Sequence, residues 1–193
     1  MTALARPLHP ALPIAGPLAL VPGRLHEGCG PARHTWAMLV AGALTGPVLW
    51  IAPAWATDRP DPCGIAPLAE PGRLIFVTPD RGGDLLWCME EALRSGAVPL
   101  VVADLPAPPG LTPVRRLHLA AEEGGTRAPR PPLGLILTPG EGGATGVESR
   151  WHMAPGHLAD TDRWHLARRR DRSAPPAAWH LSGRPGAWTV EQM

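Results

Sequence analysis

Four short apolar runs, Val48 to Ala52, Leu74 to Val77, Pro99 to Ala103 and Leu133 to Leu137, recur through the middle of the chain. Uninterrupted runs of this length are too short for helices and read as strands buried on both faces, the pattern of a parallel sheet. Helical periodicity fills the gaps. Asp84 is placed to cap a helix over Leu85 to Arg94, with Leu85, Trp87, Cys88 and Ala92 inward and Glu90 and Glu91 outward. Thr112 is placed to cap Pro113 to Glu123. Parallel strands need crossovers of this size, so the alternation predicts an α/β fold: a mostly parallel sheet with helices on both faces.

The ends differ. Residues 1–16 read as a Pro-rich flexible arm, followed by a short strand over Leu18 to Val21, and residues 17–146 form the α/β core. From 147 to 193 the pattern changes to strand-like pieces, Val147 to Pro155, Arg163 to Arg168, Ala177 to Ser182 and Ala187 to Glu191, separated by Gly, Pro and Asp. They predict a C-terminal antiparallel extension. Three of these pieces carry Trp-His pairs, Trp151-His152, Trp164-His165 and Trp179-His180. Neighbours on a strand point to opposite faces, so each Trp is expected in the core and each His toward solvent.

The stretch Leu25 to Ala43 has the outline of a phosphate-binding loop opening a helix that runs to Gly46-Pro47. Gly28 is followed by four residues, including Gly30, and then by Arg33, His34 and Thr35 where a working loop has Gly, Lys and Ser or Thr. Arg33 is strained there if that position needs φ > 0, and His34 is short and mostly neutral at pH 7. The chain has no lysine, so no neighbour can supply the usual cation. Two readings stand: a residual nucleotide site, or only a helix N-terminus.

Composition sets the surroundings. The 193 residues fit one domain, and 26 Pro with 22 Gly predict short elements and many turns. Missing Lys and Tyr, with eight Trp and one Phe, match the coding bias of a GC-rich genome, so the arginine total by itself says nothing about nucleic acid. Cys29, Cys63 and Cys88 are odd in number and form no C-x-x-C pair, as expected for a cytoplasmic protein with reduced thiols. Prolines 7, 10, 13, 17 and 22 interrupt the apolar start, which does not read as a signal peptide. Thr35 to Thr57 is uncharged, but Gly46-Pro47 and Pro53 break it, so no membrane span is expected.

Three motifs in order carry a family resemblance over about residues 24 to 190. Glu27-Gly28-Cys29-Gly30-Pro31 through Thr35 resembles the loop of the RecA superfamily. Ala92 to Val98 followed by Leu100-Val101-Val102-Ala103-Asp104 is similar to the RecA helix and Walker B strand, whose terminal Asp helps hold Mg²⁺. Trp87 to Leu93 together with Arg115-Arg116-Leu117-His118-Leu119-Ala120-Ala121-Glu122 resembles the ImuA proteins, as does Gly183-Arg184-Pro185-Gly186-Ala187-Trp188 after an Arg-rich stretch. ImuA proteins are RecA-like partners of an ImuB Y-family-like protein and an alternative replicative polymerase α subunit in damage-induced mutagenesis.

The resemblance implies an SOS-induced, cytoplasmic accessory protein of error-prone translesion synthesis that binds those two partners, with DNA as a further candidate and no membrane. It places a degenerate nucleotide site at Gly28, Gly30, Arg33, His34, Thr35 and Asp104. Where RecA-like ATPases carry a catalytic Glu, Pro53-Ala54-Trp55 follows the strand, with no carboxylate before Asp58. We therefore expect no catalytic residues and no required ATP or Mg²⁺. For Asp104 the stronger reading is a strand-end turn residue before Pro106. The densest charge, Arg168, Arg169, Arg170 and Arg172 with Arg163 and Arg184, is the candidate partner or DNA surface, or a solvated strand end. A zinc site from His152, His165 and His180 is not expected, since no Cys or carboxylate accompanies them at ligand spacing. The alternatives are an ATP-dependent recombinase-like enzyme and a SulA-like cell-division inhibitor.

Overall fold

The computed structural model describes residues 10–56, 59–158 and 161–193. A hairpin of β1 (Leu12–Ala15) and β2 (Leu18–Leu20) precedes β3 (Leu25–Cys29), α1 (Arg33–Gly42) and β4 (Val48–Ile51). Then come α2 (Pro62–Ile65), β5 (Leu74–Val77), α3 (Asp84–Ser95), β6 (Leu100–Asp104), α4 (Leu111–Gly125) and β7 (Leu133–Leu137). The chain ends in β8 (Ser149–Pro155), β9 (Arg163–Asp171), β10 (Ala177–Arg184) and β11 (Ala187–Gln192).

Among the described residues one sheet of nine strands runs β11-β10-β9-β8-β3-β7-β6-β4-β5. It is parallel from β8 to β5 and antiparallel from β8 to β11, the mostly parallel sheet with an antiparallel extension that the strand pattern predicts. Strand β7 lies between β3 and β6, which brings the C-terminal ends of those two strands to the same edge.

The apolar runs are buried on both faces because two helical layers cover them. On β6, Leu100 and Val102 join the layer under α1, while Val101 and Ala103 join the layer under α3 and α4. The α1 layer is rich in tryptophan: Trp36 stacks on Trp151 at 5.1 Å between ring centroids, and Trp151 on Trp179 at 5.9 Å. All three rings are buried, and each contributes a large apolar area to the core.

Several expectations need correction. Residues 1–9 of the expected flexible arm lie outside the described residues, but its end is the strand β1, because Leu12 and Ile14 pack onto the core beside buried Leu18 and Leu20. Helix α1 stops at Gly42, short of Gly46-Pro47, and closes with tight turns from Ala43 N–H to Val40 and from Leu44 N–H to Ala41. The expected loop before β5 contains α2, which Asp61 caps through the N–H groups of Cys63 and Gly64. Asp84 and Thr112 are not caps but lie inside the first turns of α3 and α4, after Gly83 and Gly110.

The inward stripe of α3 is Leu85, Met89 and Leu93, at four-residue spacing. That rotation leaves Trp87 57% exposed and buries Glu90, which Arg94 (2.6 Å) and Arg116 (2.7 Å) neutralise. Strand β5 is an edge strand with Ile75 and Phe76 exposed, not a buried one. No helix among the described residues is long and apolar enough to cross a membrane.

Candidate functional site

Strand β3 enters the loop Gly30-Pro31-Ala32 and α1 begins at Arg33, so the strand, turn and helix of a phosphate loop are present. The loop is short, and its donors are used internally. Gly30 N–H donates to the Gly140 carbonyl (2.9 Å), Ala32 N–H to Met153 (3.0 Å) and Arg33 N–H to Gly30 (3.2 Å), while Pro31 has no donor. Gly30 has φ +88°, and a Cβ there would meet the Met153 carbonyl and the His152 ring. Arg33 is helical, and every described residue with positive φ is a glycine, so the strain considered for Arg33 does not arise. Thr35 follows, half-buried, on the first turn of α1.

Across the sheet edge, Asp104 ends β6 with its carboxylate largely shielded from solvent. His34 Nε2–H donates to Oδ2 at 2.7 Å, and the Arg33 Nε lies 3.5 Å from Oδ1. The imidazole of His34 also meets Trp50 edge-on, at 5.6 Å between centroids. The structure thus brings Gly28, Gly30, Arg33, His34, Thr35 and Asp104 to one edge. These residues are a poor fit for a nucleoside triphosphate with Mg²⁺: the carboxylate that would face the metal is closed onto two side-chain donors, and the N–H groups of Gly30, Ala32 and Arg33 are bonded to carbonyls. Thr57 and Asp58, which follow the Pro53-Ala54-Trp55 segment, lie outside the described residues.

The strongest electrostatic feature here was not singled out in the sequence. Glu27 is fully buried one residue before Gly28. It accepts from the Thr138 hydroxyl (2.7 Å), from the N–H groups of Gly143 (2.9 Å) and Ala144 (3.1 Å), and from the Arg150 guanidinium. Arg150 also donates to the Ala144 carbonyl (2.9 Å). Segment 138–144 and β8 are therefore fastened to the loop strand by a satisfied buried ion pair. Beside it the Cys29 thiol is pushed up to about 12 by burial and then by the Glu27 charge, so it is not a nucleophile at neutral pH. Only a polar residue inside a buried strand hinted at Glu27; its partners lie more than a hundred residues away.

The arginine cluster divides between the two faces of the extension. Arg168 lies over the Trp151 and Trp179 rings at 5.8 and 5.3 Å and donates to the Pro175 carbonyl, which makes it part of the tryptophan layer. Arg172 is tied to Glu148 (3.5 Å) and the Gly146 carbonyl. Arg163, Arg169, Arg170 and Arg184 share the other face with His152, His165 and His180, as the strand registers require. Two of the three Trp-His pairs follow the expected split, with Trp151 and Trp179 buried; Trp164 and all three histidines are half-buried. Among the described residues no group of three His, Cys, Asp or Glu side chains is placed to hold a metal ion.

No family model matches the chain, and no curated protein matches it. Among solved structures, SulA from Pseudomonas aeruginosa is similar over 60% of this chain and 98% of its own, with 19% sequence identity and a TM-score of 0.47.

Proposed function

We propose that this chain is a RecA-like domain of the ImuA kind that does not hydrolyse nucleotide and acts as an adaptor in SOS-induced error-prone translesion synthesis. Its partners in this reading are an ImuB-like Y-family protein and an alternative polymerase α subunit. The observation that carries the non-catalytic part is the closed phosphate position, where Asp104 is bonded to His34 and Arg33 in a loop whose donors are already used. The partner assignment comes from the sequence motifs. It is supported by the outer faces of α3 and α4, where Trp87 and Leu119 stand 57% and 64% exposed among charged neighbours. Exposed aromatic and aliphatic anchors ringed by charge suit a protein interface.

The test is co-purification and calorimetric titration with the two partners, using a Trp87→Glu/Leu119→Glu variant. Loss of at least tenfold in affinity with an unchanged melting temperature is expected, with no shift of melting temperature on adding Mg-ATP. ATP hydrolysis abolished by Asp104→Ala overturns the non-catalytic reading. Cell filamentation on overexpression, with mutation frequency unchanged, favours a division inhibitor instead.

A further inference from the structure

Strands β8 to β11 expose one face opposite the tryptophan layer, and its side chains are mostly basic. Along β9 this face carries Arg163, His165, Arg169 and Arg170; β8 adds His152, and β10 adds His180 and Arg184. The register slips between Arg150 and Trp151, which places Arg169 as the extra residue of a bulge and turns it to the same side as Arg170. The position of Arg169 is confirmed by Glu141, which takes Arg169 at 3.1 Å and His152 at 3.3 Å.

Charge on this face is unbalanced. Among the described residues the acidic groups facing it are Glu141 and, opposite His180 on β11, Glu191; Glu27 and Arg150 neutralise each other below the surface. Four arginines remain against two carboxylates. Arg170 and Arg184 are exposed and have no acidic partner among the described residues. The two central imidazoles, His165 and His180, sit 5.1 Å apart edge to face, and the His180 Nδ1 has no hydrogen-bond partner among the described residues. His165 is held below the ordinary histidine range by burial and then by His180, His152, Arg169 and Arg163, so the groups around it are cations or become cations on protonation.

We infer that this face binds the phosphate backbone of a single-stranded nucleic acid, with Arg163, Arg169, Arg170 and Arg184 as the phosphate contacts and His165 and His180 between them. A single strand can lie flat across a sheet face four strands, or about 15 Å, wide, whereas a rigid duplex touches a flat surface along one line and reaches fewer of these side chains. The assignment excludes Arg168 and Arg172, whose guanidinium groups are engaged elsewhere. It does not depend on the adaptor reading.

The experiment is fluorescence anisotropy of the full chain with labelled oligo-dT of roughly 16 nucleotides. Four phosphate contacts predict an affinity that falls about 50-fold between about 50 and 200 mM salt. Arg169→Glu/Arg170→Glu and, on a separate strand, Arg184→Glu are each expected to weaken binding tenfold or more with unchanged thermal midpoints. Arg130→Glu, exposed in the segment before β7, is expected to change it less than twofold. No binding at low salt, affinity kept within twofold in both face variants, or an equal loss in Arg130→Glu overturns the inference. Tighter binding to polyglutamate than to oligo-dT also overturns it and assigns the face to an acidic protein.

Discussion

Lowering the pH from 7 to 5 should cost this protein several kcal/mol of stability, through two histidines buried as neutral rings. Nδ1 of His118 accepts the Leu25 N–H (3.3 Å) and its Nε2–H donates to the Gly146 carbonyl (3.2 Å), so a second proton would set two donors against each other. His26 lies between the Val21 carbonyl (3.0 Å) and the Ser149 hydroxyl (2.7 Å), and that hydroxyl also accepts from Trp151 Nε1 (2.7 Å). Burial is the main cause that lowers both, each to about 4 from 6.5, and each also lies within the field of Arg24. Because the folded values are depressed, the unfolded chain binds more protons below pH 6.5. Stability is therefore full above that pH and is lost as pH falls from 6.5 toward 4. The depression from 6.5 to about 4 amounts to roughly 3 kcal/mol per ring at the limit, and about 2 kcal/mol of it is gone at pH 5. Two rings give about 4 kcal/mol against a typical total of about 5–15. Urea unfolding at pH 7.5, 6 and 5 measures this, since reference carboxylates remain mostly ionised above pH 5. His118→Gln, which can still accept from Leu25 and donate to Gly146, should halve the loss. A midpoint that does not move between pH 7.5 and 5, or a slope that His118→Gln leaves intact, refutes the reasoning.

Gly30→Ala combines a left-handed φ of +88° with a Cβ aimed at the Met153 carbonyl and should destabilise by at least about 2 kcal/mol, or roughly 4–8 °C in melting temperature by calorimetry. Glu27→Gln strands the Arg150 guanidinium inside the fold and should cost about 3–5 kcal/mol in denaturant unfolding. Glu27→Gln with Arg150→Met should recover part of that loss, and a double variant no more stable than the single one counts against a paired lock.

How much of this was legible in advance depends on whether the physics is local. Leu133 to Leu137 is the strand its apolar run predicts, and β6 and the extension follow their patterns to within a few residues; β3 was not read as a strand, because His26, Glu27 and Gly28 interrupt any apolar run. The outline of a loop opening a helix is legible because turn and helix are written in consecutive residues. The rotation of α3 was not legible. Leu85, Trp87, Cys88 and Ala92 make a plausible apolar face, and only packing on β6 and α4 selects Leu85, Met89 and Leu93 and leaves Trp87 outside. Glu90 reads as a surface acid until Arg116, on another helix, comes to cover it. The division of the arginines was hidden as well, since a bulge between β8 and β9 decides which way Arg168 and Arg169 turn.

The loop shows why motif spacing and motif chemistry separate. In a nucleotide-binding protein the glycines leave room for phosphate; here each is accounted for by a protein neighbour. A Cβ on Gly28 would lie 2.8 Å from the Trp36 ring and 3.0 Å from Leu137, so this glycine lets α1 press its indole down onto Trp151. Gly30 makes room for the Met153 carbonyl and His152 on the adjoining strand β8. Glu27 then ties that strand and segment 138–144 to β3 from the opposite face of the sheet. Residues of α1, β7 and β8 thus converge on the stretch from Glu27 to Gly30, and their packing alone is sufficient to require glycine at positions 28 and 30. Restoring Lys at position 34 would leave Ala32 N–H on Met153 and Gly30 N–H on Gly140, so the closed geometry of the loop rests on the adjoining backbone as much as on the missing cation.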